Sequence, residues 1–173
     1  VHLARGVALQ PEVLLLDEPF AGLDPETHAA LVEDTTSALR AAAGAVVVVL
    51  HDRADAWAMA DRIVVLLDGA VAACGPPDEI LTRPPSAEVA RFLGYDGRLD
   101  DGGSMLLTRP PDVRIEPDGD VGGTVSRLVR LEDGARVEVR TARGVVRALH
   151  PTADLAVGDP VRVRVVGGVR FPA

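Results

Sequence analysis

The chain has 173 residues, 47% of them apolar, which suits one or two domains with a core; aromatics are only 3%, so that core must be built from Val, Leu and Ala. The net charge of −8 excludes the broad basic surface of a nucleic-acid binder, and the single cysteine, Cys74, excludes an internal disulfide. All 18 basic residues are arginine, and a phosphate-binding loop needs a lysine to reach nucleotide phosphates, so no P-loop of that kind lies within these residues. Residues 1–98 hold 15 acids against 7 arginines and so carry the whole net charge; residues 99–173 hold 11 of each. The longest apolar run, Ala41 to Leu50, is too short to span a bilayer, and no signal-peptide pattern opens the chain.

Val1 to Leu9 places apolar residues at helical spacing, with Arg5 on the polar side and Pro11 as the stop. His2 and His28 read as solvated surface residues. From Val13 the sequence runs Val-Leu-Leu-Leu-Asp-Glu-Pro-Phe-Ala-Gly-Leu-Asp. The unbroken apolar run predicts a strand buried on both faces of a parallel sheet. Asp17 and Glu18 would stand at its carboxyl end, where open α/β sheets bind ligands. As neighbouring strand residues they would point to opposite sides, so one can hold a metal ion while the other orients or deprotonates a nucleophile.

Asp24-Pro25-Glu26 predicts a helix start, with a capping Asp, a proline in the first turn and an acid suited to the helix dipole. The helix runs to about Ala43, and Gly44 stops it. Ala45 to Leu50 predicts a second buried strand that ends in His51-Asp52. Strand–helix–strand order then brings Asp17, Glu18 and His51 to the same edge of one parallel sheet. A short helix over about Ala54 to Ala60 follows, with Trp57 as its packing anchor. Arg62 to Leu67 and Ala70 to Cys74 form a hairpin about Asp68-Gly69, and Cys74 reads as a buried small residue.

Gly75-Pro76-Pro77 breaks the pattern, and Ser86 caps a helix ending at Gly94, with Val89, Phe92 and Leu93 on its apolar side. Tyr95 to Gly103 is acidic and glycine-rich and reads as a linker, set at 96–103. From Ser104 the period changes to 2, as in Val161-Arg162-Val163-Arg164-Val165. Glu132-Asp133-Gly134 and Arg143-Gly144 mark hairpins, and Val157-Gly158-Asp159-Pro160 marks a longer turn. About five short strands in this stretch predict a small barrel, OB-like in form. The arginines there are balanced by acids, and Phe171 is the one aromatic, which disfavours base stacking. His150 reads as a loop residue.

The string from Val13 to Asp24 resembles the Walker B motif and D-loop of ABC-type ATPases. His51-Asp52 resembles that family's switch histidine, with Leu50 in place of the usual Thr. Ala60-Asp61-Arg62-Ile63, with Asp68-Gly69, resembles the segment that follows it. Val1 to Ala8 looks like the helix after the signature motif, with His2 and Gly6 replacing the usual alanines. The C-terminal strands resemble a TOBE domain by pattern and position.

The resemblance implies an α/β fold: the C-terminal part of an ABC ATPase domain with a parallel sheet over 1–95, a linker over 96–103, and a TOBE-like β-barrel over 104–173. It implies an ATP-binding and hydrolysing subunit of an importer, with Asp17 on Mg2+, Glu18 as general base, His51 at the γ-phosphate and Asp24 communicating across a dimer that sandwiches ATP. Its implied partners are transmembrane permease subunits and a second ATPase subunit at the cytoplasmic face of the membrane. The P-loop lysine, Q-loop and signature motif are not in these residues, and Val1 falls in mid-pattern. The chain is therefore expected to be the C-terminal portion of a longer protein, inactive alone. Two rivals stay open: a soluble ABC ATPase without a permease, and a non-catalytic remnant whose barrel binds an oxyanion or a partner.

Overall fold

In a computed structural model, the structure describes Ala8, residues 11–22, residues 24–152 and residues 154–173. The helix expected over Val1–Leu9, and with it His2, lies outside the described residues apart from Ala8. The chain divides into two units, one extending to Leu81 and the other from Thr82 to Ala173. Among the described residues, no helix is long and apolar enough to cross a membrane.

In the first unit, strands β1 (Val13–Asp17) and β2 (Ala45–Val49) pair in parallel, with Leu14 opposite Val46 and Asp17 opposite Val49. Helix α1 (Pro25–Ala42) joins them. Its cap is Asp24, whose Oδ1 accepts the Thr27 N–H at 2.9 Å. The stripe Val32, Thr35 and Leu39 on α1 is buried, because positions spaced by three and four residues share one helix face. Val32 and Leu39 cluster with Leu14, Phe20 and Met59.

The two-sided burial expected for these strands does not occur. Among the described residues only one face of the β1–β2 pair is covered; on the other, Val13, Leu15, Val47 and Val49 are 53 to 71% exposed. Alternation explains the split, since every second side chain of a strand faces the same way.

Helix α2 (Arg53–Met59) buries Asp55 and Met59, one turn apart. Trp57 falls between them on the opposite side and is 49% exposed, so it is not the packing anchor that was expected. Strands β3 (Ile63–Leu67) and β4 (Ala70–Gly75) form the expected hairpin. Asp68 and Gly69 have φ of 49° and 78°, the positive values that a type I′ turn requires. Cys74 is exposed, contrary to expectation: the alternation of β4 turns Ala73 and Gly75 inward instead, and Arg62 Nη2 donates to the thiol at 3.4 Å. Helix α3 (Pro77–Thr82) follows, with Ile80 and Leu81 buried.

The second unit opens with helix α4 (Ala87–Phe92), capped by Ser86, whose hydroxyl accepts the Val89 N–H at 3.2 Å. Val89, Ala90 and Leu93 are buried, whereas Phe92 is 62% exposed and lies off the apolar stripe where it was expected. Residues expected to be linker instead form strand β5 (Gly97–Asp101), which alternates Gly97 and Leu99 inward with Arg98 and Asp100 outward. After it come β6 (Ser104–Thr108), a 3-10 turn (Pro110–Asp112), β7 (Val113–Ile115), β8 (Val121–Leu131), β9 (Gly134–Thr141), β10 (Gly144–His150), β11 (Pro160–Val165) and β12 (Val169–Pro172).

All eight strands belong to one antiparallel sheet in the order β12-β6-β5-β10-β9-β8-β11-β7. Strand β7 stands four places from β10, which in a flat sheet would separate them by about 19 Å. Their Cα atoms instead come within 8 Å, so the sheet is strongly curled. Among the described residues no ladder joins its two ends. The observed architecture is thus a curled antiparallel half-barrel. Val113, Val125, Val137, Val139, Val146, Ala148 and Val163 fill its inner side.

The outer side carries paired charges. Arg147 lies directly opposite Glu138 and bonds it at 2.8 Å, while the Ser126 hydroxyl donates to the same carboxylate at 3.0 Å. Burial pushes the Glu138 carboxyl up, but the Ser126 hydroxyl and the Arg147 guanidinium outweigh it, so the group titrates below its ordinary value of 4.5. A depressed carboxyl contributes stability that is complete above its unfolded value and lost as pH falls through its folded value. Denaturant midpoints compared at pH 7 and pH 3 should therefore fall more steeply in the native chain than in Glu138→Gln.

Candidate functional site

The site is built at the carboxyl ends of β1 and β2. Asp17 is the last residue of β1 and is exposed. Glu18 leaves the strand at once: its φ is +43°, a left-handed value uncommon outside glycine. The opposite-facing arrangement expected of two strand residues does not apply here, because Glu18 lies past the end of the strand. Its backbone N–H donates to the Val49 carbonyl at 3.0 Å, and its own carbonyl accepts from the Ala21 N–H at 3.1 Å. The turn that follows buries Phe20.

On β2, the chain passes through Leu50 to His51. Its Nδ1 stands 3.8 Å from Glu18 Oε1, and both side chains are largely exposed, at 72 and 51%. That separation exceeds a hydrogen bond, and an exposed pair of this kind contributes little to stability. The two groups are close enough to share a bound molecule yet are not consumed by each other. Asp24 holds the start of α1 through Thr27. The structure thus brings Glu18 and His51 together beside Asp17, and gives Asp24 a capping role at the next helix.

Sequence reasoning missed one pair. His28 on α1 was read as solvated, but its Nε2 lies 2.8 and 2.9 Å from the two carboxylate oxygens of Asp55 on α2. Asp55 is only 7% exposed. A carboxylate can only accept, so the Nε2–H of His28 is the donor. The ring also lies 5.7 Å from that of Phe20, centroid to centroid, tilted by 55°. A signal was present: His28 sits four residues before Val32 on the buried stripe of α1.

Chemically, Asp17 offers a hard oxygen donor, Glu18 a carboxylate able to accept a proton or a hydrogen bond, and His51 an imidazole able to donate one. No group of three or more His, Cys, Asp or Glu gathers among the described residues, so none forms a protein cage for a metal ion.

No family model matches the chain. Among individual proteins, it is 32% identical over 97% of its length to the spermidine/putrescine import ATP-binding protein PotA of Marinobacter nauticus, covering 56% of that protein. It is 34% identical over its whole length to the Fe(3+) ions import ATP-binding protein FbpC 1 of Rhodococcus jostii, covering 59% of it. Against the sulfate/thiosulfate import ATP-binding protein CysA of Mycolicibacterium paratuberculosis, identity is 40% over 83% of the chain and 37% of the relative. By sequence, the chain is similar to the ATP-binding subunits of ABC importers. It spans about half the length of the curated relatives it matches. Asp17 stands at the carboxyl end of β1, with Glu18 and His51 just past the carboxyl ends of β1 and β2.

Proposed function

We propose that these residues supply the Walker B part of an ATP-hydrolysing site in an importer subunit, and that hydrolysis drives solute uptake. The observation that carries the reading is the approach of Glu18 and His51 to 3.8 Å at the carboxyl ends of two parallel strands. Glu18 orients the attacking water and accepts its proton, while His51 donates a hydrogen bond to the γ-phosphate. Asp17 fits Mg2+ as an exposed carboxylate that leaves the remaining coordination to water and phosphate oxygens, which is how Mg2+ is commonly held. When bound, Mg2+ supplies charge neutralisation at the β- and γ-phosphates.

Asp24 communicates with a second ATPase subunit, and transmembrane permease subunits at the inner face of the membrane complete the assembly. The division into an ATPase part over 1–95 and a TOBE-like part over 104–173 belongs to the same reading, with an oxyanion or a regulatory ligand as the candidate occupant of the latter. The named cargoes of the relatives range from Fe(3+) ions to spermidine/putrescine and sulfate/thiosulfate, so no single cargo is assigned to this chain.

Because no lysine is present, the 173 residues alone should release no phosphate from MgATP. Joined in one polypeptide to a Gly-x-x-x-x-Gly-Lys-Ser/Thr loop and a signature motif, they should release it. Phosphate release by the isolated chain that Glu18→Gln abolishes would overturn this division of labour. Lack of release by the joined polypeptide would favour the non-catalytic reading.

A further inference from the structure

His28 and Asp55 lie outside the group of residues given a chemical role above, yet they close a ring of contacts around it. From Glu18 the chain turns and buries Phe20 two residues later. The Phe20 ring packs against His28, and the Nε2–H of His28 donates to both oxygens of Asp55 at 2.8 and 2.9 Å. Asp55 is in turn fixed to the start of α2. Asp52 Oδ1 accepts the Ala54 N–H at 2.6 Å and the Asp55 N–H at 3.4 Å. Asp52 directly follows His51, whose ring returns to Glu18 at 3.8 Å. The ring therefore runs Glu18, Phe20, His28, Asp55, Asp52, His51 and back to Glu18.

Its links are unequal. The Glu18–His51 step is exposed and open, too long for a hydrogen bond, so it cannot hold its own geometry. The His28–Asp55 step is short, forked and part-buried, with Asp55 at 7% exposure. A charge-assisted bond in such surroundings holds its partners far more tightly than an exposed pair. Helix α1 begins after the Glu18 turn and α2 begins after His51, so a bond between the two helices sets where both ends of the open step stand.

We infer that His28 and Asp55 are positioning residues that fix the separation of Glu18 and His51. Their catalytic consequence rests on the ATP-site reading above, whereas the geometric tie does not.

The test uses the 15N-labelled 173-residue chain without ligand, followed by the backbone amide signals of Glu18 and His51 and the ring signals of His51. His28→Gln and Asp55→Asn should shift all of these at unchanged overall fold, and His28→Arg, which offers a forked N–H donor to both Asp55 oxygens, should return them toward the native positions. Val32→Ala, a core truncation on the same helix face, should lower the denaturation midpoint but leave these signals in place. His28→Gln is the decisive variant should Asp55→Asn fail to fold. Unmoved Glu18 and His51 signals in His28→Gln, or equal shifts in Val32→Ala, would overturn the inference. Phosphate release from MgATP by the joined polypeptide described above is the separate arm: its absence counts against the ATP-site reading, while the shift comparison still decides the tie.

Discussion

Val139→Asp is expected to unfold the unit that runs from Thr82 to Ala173. Val139 is 0% exposed on the central strand β9, where it lies between Val125 of β8 and Val146 of β10. Its partners in the buried cluster on that inner face are aliphatic. A carboxylate there has neither water nor a partner, and leaving such a charge uncompensated costs at least several kcal/mol. Since a domain has only about 5–15 kcal/mol of net stability, one such change removes most or all of it. Circular dichroism with urea denaturation should show the sheet signal lost or its midpoint near zero denaturant. The adjacent Arg140 is exposed, so Arg140→Ser should leave the unfolding free energy within about 0.5 kcal/mol of native. A cooperative native-like transition in Val139→Asp would contradict the assignment of this face as the core.

The second large effect is on chemistry. In a polypeptide that joins these residues to a phosphate-binding loop, Glu18→Gln is expected to lower ATP turnover by about 100-fold or more, the range expected on removing a general base. Glutamine keeps the size and hydrogen-bonding reach of the side chain but cannot take a proton. The backbone at Glu18 is set by its N–H bond to Val49 and should not move, so MgATP should bind about as well as before. Equilibrium nucleotide binding together with steady-state phosphate release separates the two quantities. Turnover within a few-fold of native would assign the proton acceptor elsewhere.

Both effects were partly legible in the sequence, to different depths. The acids and the histidine were visible because an apolar run ending in polar residues is a local pattern. The core position of Val139 was visible because Val137-Glu138-Val139 alternates. By contrast, the His28–Asp55 bond joins residues 27 apart through the packing of two helices, and no local pattern states that distance. Trp57 was expected as a packing anchor and Phe92 on the apolar side of its helix, and neither is buried. Helical phase turned both outward.

By itself the sequence determined the short-range features: β1 and β2, the Asp24 and Ser86 caps, the Asp68-Gly69 hairpin and the alternating C-terminal strands. These follow from a few neighbouring dihedrals and from side-chain period, which near neighbours set. Only the tertiary structure decided that residues 97–101 form a strand paired to β6 and β10. The same holds for the curl of the eight-stranded sheet against β7, the bare second face of the β1–β2 pair, and the tie of Asp55 to His28. Those features depend on which distant segments meet, and a strand or a buried carboxylate is satisfied only by the partner that the whole fold delivers.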